Sequence, residues 1–458
     1  MGNTRVVLIE NEWTNWRSVA IAMGQEPIAA RRALLRAGRT IRRRLRLRSD
    51  PFVFRTIDGK VRFRVAGVAG TLSLPNAALE VLPKFAKHAG ATHEWNVSSL
   101  FLLEALNGRH VLSLAAVQQR WQCHRVLDLI GHAFADSVEL GLRDRPICTY
   151  RQIEETSVAL RGRLNLARQV RNWVRAPHLL ECDVSQLDEE NPFNDVLKWA
   201  AFSLADAVGE PSLRARLRVL SQRLPGRADR SVGFRHARMR PPPQFKVWAD
   251  ALELARLLAG GLTHSTNGGN SGGYSLMFNM ERAFERFVEH GLSRAMYASA
   301  ALRLTSERQQ MIPYAHPATS GTKTLYCRPD NIVRREGEPL IVVDAKYKLL
   351  DAEWRRGASA TDRASPLSAD LYELLAGMLA HGCSSGVLVY PSTTQSMTNS
   401  SDVRTWTIDA YGAPLTVSAV PIHLRSLTSR EAVRQSFAVV EQHIVKMAQA
   451  CAASSGHE

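Results

Sequence analysis

The chain has 458 residues, 45% hydrophobic and 22% charged, a length and balance that accommodate two or three globular domains and exclude wholesale disorder. Lysine and arginine number 59 against 43 acidic residues, a formal net charge of +16. A surplus of that size draws polyanions, nucleic acid first among them.

The opening MGNTRVVLIENEW lacks the apolar core of a signal peptide, and no apolar run is long enough to cross a bilayer. The six cysteines (Cys123, Cys148, Cys182, Cys327, Cys383 and Cys451) form no CxxC pair and no Cys/His ligand spacing. Neither a zinc site nor a disulfide framework is expected, and the reading is a soluble protein of a reducing cytoplasm.

Residues 1–97 read as a mostly-β domain. VRFRVAGVAGTLSL (61–74) alternates apolar with polar or small residues, and ALEVLPKF (78–85) follows a Pro-Asn turn. Before it lies ARRALLRAGRTIRRRLRLRSD, with nine arginines between Arg31 and Arg48 and only Asp50 to close it. Arg31, Arg32, Arg36, Arg39, Arg42, Arg43 and Arg44 are candidate contacts to nucleic acid or to a protein partner; a simple solvated helix face is the competing reading.

Residues 98–262 carry apolar positions at three- and four-residue spacing in SLFLLEALNG, VLDLIGHAFADSVELGL, NDVLKWAAFSLADAV and VWADALELARLLAGGL. A helical middle domain follows from that period, broken by a stiff extended RPPPQF (240–245). THSTNGGNSGGYS (263–275) reads as a flexible linker. Residues 276–458 begin with a helix, SLMFNMERAFERFVEHGLSRAM, and continue as two strands around REGEP, a helix DLYELLAGMLAHG and a buried strand SSGVLVYP. That alternation predicts an α/β domain with a mixed sheet, so the whole chain is expected to be multidomain, α+β joined to α/β.

The sharpest chemical feature is Pro329-Asp330 followed by Asp344-Ala345-Lys346. Alternation along IVVDAKY puts Asp344 and Lys346 on one face, and Asp330 starts the neighbouring strand across the REGEP turn. Two carboxylates converging with a lysine suit a hard cation such as Mg²⁺, with Mn²⁺ as a substitute, and phosphodiester hydrolysis. By chance the spacing recurs in roughly one chain in eight of this length, so context has to decide. An aspartate closing an apolar strand is costly without a charge partner or a metal. Glu281 and Glu285 stand one helical turn apart upstream, with Phe284 and Val288 on the packing side, and Glu285 is a further ligand candidate.

RPDNIV…LIVVDAKYK resembles the PD-(D/E)xK nuclease signature in the form found in the McrC family, the nuclease subunit of McrBC-type modification-dependent (5-methylcytosine) restriction systems. ALEVLPKF, LRGRLN (160–165), DEENPFNDVLKWA (188–200), FNMERAFERFVE (278–289) and GVLVYP (386–391) fall in that family's order, so the likeness spans about residues 50 to 400. The resemblance implies a C-terminal PD-(D/E)xK endonuclease domain. Asp330, Asp344, Lys346 and Glu285 would be its catalytic residues, and Asp330, Asp344 and Glu285 its metal ligands. It also implies DNA as substrate, a partner McrB-like AAA+ GTPase hexamer that binds the GTP, and an N-terminal domain that engages this partner. Two positions depart from the pattern: Glu373 stands where a glutamine is frequent, and Gly377 where an aromatic residue is common.

This chain has no GxxxxGK[ST] phosphate loop of its own. Two other function classes are compatible with the residues: a non-catalytic NTPase-activating subunit that docks DNA, and an autonomous DNA-repair nuclease sharing only the C-terminal fold.

Overall fold

The computed structural model describes residues 4–454 apart from 75–76, 89–97, 100, 104, 106–125, 229–240, 266–272, 300–301, 309–310, 316–323, 350–365, 393–402, 411–412, 425–426 and 428. The chain divides into two compact units, Met1–Leu127 with Gly261–Glu458, and Asp128–Gly260. Among the described residues no helix is long and apolar enough to cross a membrane.

The first unit carries a five-stranded sheet in the order Thr4–Ile9, Ala77–Leu82, Val68–Leu74, Gly273–Asn279, Leu262–Ser265. The first pair is parallel and the others antiparallel. Ala77–Leu82 is buried at every position, so both of its faces are covered. Gly70 lies opposite Met277 with φ +130°, and a Cβ there would sit 2.1 Å from the Leu276 carbonyl oxygen. Only glycine admits so close an approach of the two backbones. This pairing revises the expected domain layout. The stretch read as a linker, 263–275, ends in paired strands, and residues 266–272 between them lie outside the described set. The N-terminal β region and the residues after Gly261 therefore share one sheet, and the separate 1–97 and 276–458 domains are one unit.

A hairpin of Phe52–Ile57 and Lys60–Val65 turns at Asp58-Gly59, both with positive φ, and Thr14–Asn15 pairs with its second strand. Its core is Trp16, Phe52, Phe63, Leu34 and Ile41. The arginine run, expected within a mostly-β region, is a helix, Pro27–Leu45. Proline at its first turn and the Glu26 carboxylate accepting from Ala29 N start it; Arg46 in the left-handed region ends it. Ala30, Leu34, Gly38 and Ile41 recur at helical spacing and are buried. At Gly38 a Cβ would lie 3.0 Å from the Phe52 ring, so the helix sits close on the hairpin.

The same unit holds a mixed six-stranded sheet, ordered Leu304–Arg308, Asn331–Arg335, Glu338–Ala345, Ser385–Ser392, Ala413–His423, Arg404–Ala410. The two central pairings, on either side of Ser385–Ser392, are parallel. Glu336 and Gly337 both have positive φ, which closes the REGEP hairpin in two residues. Helix Pro366–His381 connects the parallel strands and packs Leu374 and Met378 on Val342, Leu388, Tyr390, Val417 and Ala419. Ser418 alternates to the opposite face and meets the Met447 sulfur of helix Arg430–Ser454. Gly291 of helix Met280–Ala298 lies against the Phe437 ring.

The second unit was expected to be helical. Its helices include Pro192–Ala207, capped by the Asn191 side chain, and Pro211–Arg223. It also contains an antiparallel sheet of Thr149–Ser157, Leu180–Asp188 and Arg163–Leu164. TYRQIEETS exposes most side chains, so no apolar period betrays the strand. RPPPQF is not wholly extended either: Pro243–Trp248 forms a short 3₁₀ turn. The expected helix at 99–108 lies partly outside the described residues.

Candidate active site

Ile341, Val342 and Val343 bury completely and carry the chain to Asp344, only 6% exposed. The neighbouring strand begins at Asn331, paired with Val343, which places Asp330 beside Asp344. Asp330 Oδ2 accepts a hydrogen bond from Ala345 N at 2.9 Å, and its carboxyl is hydrogen-bonded to that of Asp344. Burial, then the charges of Asp344 and Glu285, push the Asp330 pKa up to about 9. The Asp330 carboxyl therefore holds its proton at neutral pH.

Lys346 follows the strand by one residue. Its Nζ lies 2.7 Å from Asp344 Oδ2 and 2.6 Å from Glu373 Oε2. Burial opposes the charge of Lys346, but Asp344 and Glu373 outweigh it and hold the ammonium protonated. Glu373 is ionised more easily than usual: burial works against its charge, and Lys346 and Arg48 overcome that. The departure from glutamine thus supplies the lysine with a second anionic partner. Gly377 is buried, and a Cβ there would meet Val342 at 3.4 Å and Pro329 at 3.6 Å. A larger side chain there would press on those two residues.

Glu285 projects from helix Met280–Ala298, whose Phe284 and Val288 are buried as expected. Burial, then the charges of Glu281 and Asp344, raise its pKa. It stands in the field of the aspartate pair, yet among the described residues no group of three His, Cys, Asp or Glu side chains is placed to hold a metal. Asp330 and Asp344 stand side by side, Glu285 is near enough for its charge to act on Asp330, and like-charge repulsion opposes closer approach of the three. The pair itself fits Mg²⁺, a hard cation held through one or two carboxylates while keeping waters. The charge of Asp344 disfavours ionisation of Asp330, and a cation beside the pair would relieve that repulsion.

The residue after Lys346 is anchored from far away in the sequence. Tyr347 Oη donates to Glu10 Oε2 at 3.0 Å, and its carbonyl accepts from Lys84 Nζ. That ammonium also lies 3.5 Å from the Tyr347 ring centroid, and Lys84 N donates to Glu10 Oε2. Burial pulls the Lys84 pKa down to about 8 against the charges of Glu10 and Glu281, and burial pushes the Glu10 pKa up. Sequence reasoning noticed Lys84 only within ALEVLPKF and did not single out Glu10 or Tyr347; Glu10 carries no signal of its own.

Of the arginines, Arg31, Arg32, Arg36, Arg39, Arg42 and Arg43 are exposed and Arg44 half-buried. The structure adds Arg48, whose charge acts on Glu285 and Glu373.

The model of the family described as McrBC 5-methylcytosine restriction system component matches residues 63–391, well over half of the chain. The chain belongs to the McrBC family. Among solved structures, this McrBC-family chain resembles one described as a refined half-complex from the tetradecameric assembly of Thermococcus gammatolerans McrB AAA+ hexamers with bound McrC. The likeness has 17% identity and a TM-score of 0.65, covering 96% of this chain and 100% of that one. A second, the cryo-EM structure of the Thermococcus gammatolerans McrBC complex, matches at 18% identity and TM-score 0.49, over 64% of this chain and 88% of that one. At these identities the likeness speaks to fold. No curated protein matches significantly.

Proposed function

We propose that this McrBC-family chain is the Mg²⁺-dependent DNA endonuclease subunit of a restriction complex serving phage defence, with a PD-(D/E)xK centre at Asp330, Asp344 and Lys346. The observation that carries the reading is the convergence of those three residues at one end of a mixed sheet: Asp344 near the end of one strand, Lys346 just after it and Asp330 just before its neighbour. Asp330 and Asp344 would hold the metal, Mg²⁺ or Mn²⁺, with Glu285 as an auxiliary carboxylate. A bound Mg²⁺ supplies Lewis-acid polarisation of a phosphoryl oxygen and a more acidic water. Lys346, kept cationic, offsets charge that develops on the phosphate and orients the attacking water. Asp344 and Glu373 set the height and direction of its ammonium.

The partner in this reading is a McrB-type AAA+ GTPase ring that binds the GTP, in keeping with the assembly named for the resembling structure. The N-terminal β region would engage that ring and stimulate hydrolysis. The test mixes full-length protein, the partner GTPase, Mg²⁺, nucleotide and methylated plasmid, with wild type beside Asp344→Ala. Nucleotide-dependent cleavage that disappears in the variant is the expected result. No cleavage by either, with GTPase stimulation intact, would reassign the chain to an activating subunit. Cleavage by wild type without any nucleotide or partner would reassign it to an autonomous nuclease.

A further inference from the structure

The arginine helix presents its cations in an uneven way. Arg39, Arg42, Arg43 and Arg46 line, with Leu47 and Asp50, a cleft of about 550 Å³ at the helix's C-terminal end. One carboxylate faces four guanidinia: Asp50 lies 3.5 Å from Arg42, and Arg42 also donates to the Arg48 carbonyl. The left-handed cap at Arg46 turns the chain out of the helix toward Arg48. From Arg39 to Arg46 the helix rises about 10 Å, the span of three base steps of a duplex.

This end of the helix is tied to the candidate active site. The helix packs on strand Gly273–Asn279, which runs directly into the helix that bears Glu285. Arg46 acts on Arg282 of that helix together with Arg286 and Arg308, and Arg48 acts on Glu285 and Glu373. Positive charge thus continues from the cleft to the edge of the Asp330–Asp344 pair.

We propose that Arg39, Arg42, Arg43 and Arg46, around the cleft, and Arg48 beyond it form the docking surface for the phosphate backbone of the duplex whose scissile bond is presented to Asp330 and Asp344. Guanidinium forks grip phosphate oxygens two at a time, and the cleft holds too few acids to satisfy them internally. DNA fits better than an acidic protein surface because the charge leads to the site where a phosphate has to arrive. The proposal deepens the nuclease reading and rests on it.

The experiment is fluorescence anisotropy of a labelled DNA duplex with full-length protein in EDTA, across a salt series. Replacing Arg42, Arg43, Arg46 and Arg48 together by Gln removes up to four phosphate contacts. The slope of log affinity against log salt should become shallower by about 3–4, with affinity at moderate salt down roughly ten- to a hundredfold. The quadruple lysine replacement should keep most of the slope, and unchanged circular dichroism establishes that the glutamine protein is folded. An unchanged slope in that folded protein overturns the proposal, and lost GTPase stimulation beside it would identify a protein-docking surface instead. A shallower slope supports DNA docking whether or not wild type cleaves, so failure of the nuclease reading registers separately, in the plasmid assay.

Discussion

Replacing Asp330 by Asn tests the electrostatics of the aspartate pair without reference to catalysis. An aspartate with pKa about 9 in the fold and 3.8 as its reference takes up a proton on folding across the intervening pH range. The unfolded chain binds fewer protons in that window, so wild-type stability falls as pH rises from about 4 to 9. At pH 7 the interval passed is about three pK units, on the order of 4 kcal/mol, and residual solvent contact screens it to about 2–4 kcal/mol. The asparagine side chain keeps an oxygen to accept from Ala345 N and removes the titrating group. The Asp330→Asn protein should therefore be more stable at pH 7–8 in EDTA, by roughly 4–8 °C in Tm at about 2 °C per kcal/mol. Differential scanning fluorimetry over pH 5–9 reads both the shift and the flattened pH dependence. Mg²⁺ should raise the melting temperature of wild type and leave Asp330→Asn nearly unmoved. A variant that is no more stable than wild type at pH 8, with an undiminished pH slope, would refute the argument that the fold keeps Asp330 protonated.

The other predictions concern neighbouring parts of the same unit. Lys346→Ala should lower plasmid cleavage by at least about a hundredfold, since it removes the cation offered to the phosphate; near-normal cleavage would remove Lys346 from the mechanism. Glu373→Gln leaves Asp344 to hold Lys346, so cleavage should stay within about tenfold of wild type, and a larger loss in the same assay would give Glu373 a direct role. Lys84→Ala strands Glu10 in the core and should cost about 3–5 kcal/mol in urea unfolding, whereas a loss below about 1 kcal/mol would mean that Glu10 finds water. Gly377→Phe should cost about 1–3 kcal/mol by overpacking against Pro329 and Val342, measured the same way.

The mixed six-stranded sheet was legible because its strands are apolar runs ended by chemistry. IVVDAKY announces a buried strand and the charge that stops it, and RPDN fixes the partner strand through a two-residue turn that REGEP already spells. The register Asn331 to Val343 then does the rest. Three features stayed hidden for physical reasons. Thr149–Ser157 is exposed along one face and only half-buried along most of the other, so it has no apolar period to display. The 263–275 stretch is rich in Gly, Asn and Ser, which reads as loop, although its ends pair as strands and Leu276 lies against Gly70. Glu285 was placed on the correct helix face, because Phe284 and Val288 define the buried side. Its distance from the pair depends on how that helix sits over the sheet, which local periodicity does not encode.

The least legible part is also the one that joins the two sheets of the first unit. Glu10 follows the first strand, and Lys84 follows the last strand of the N-terminal region; both reach Tyr347, one residue beyond Lys346. An isolated buried glutamate or lysine would be costly, and together they offset each other while satisfying the tyrosine hydroxyl and carbonyl. Burying an ionic lock contributes little stability compared with apolar packing of the same volume, so its value here lies in specifying one position for the chain after Ala345. Lys346 has its backbone N bonded to Val389 O on one side and this lock on the other. Any shift of the N-terminal sheet relative to the mixed sheet must break the Tyr347 contacts or carry Lys346 with it. That gives the N-terminal region a mechanical route to the ammonium beside Asp344.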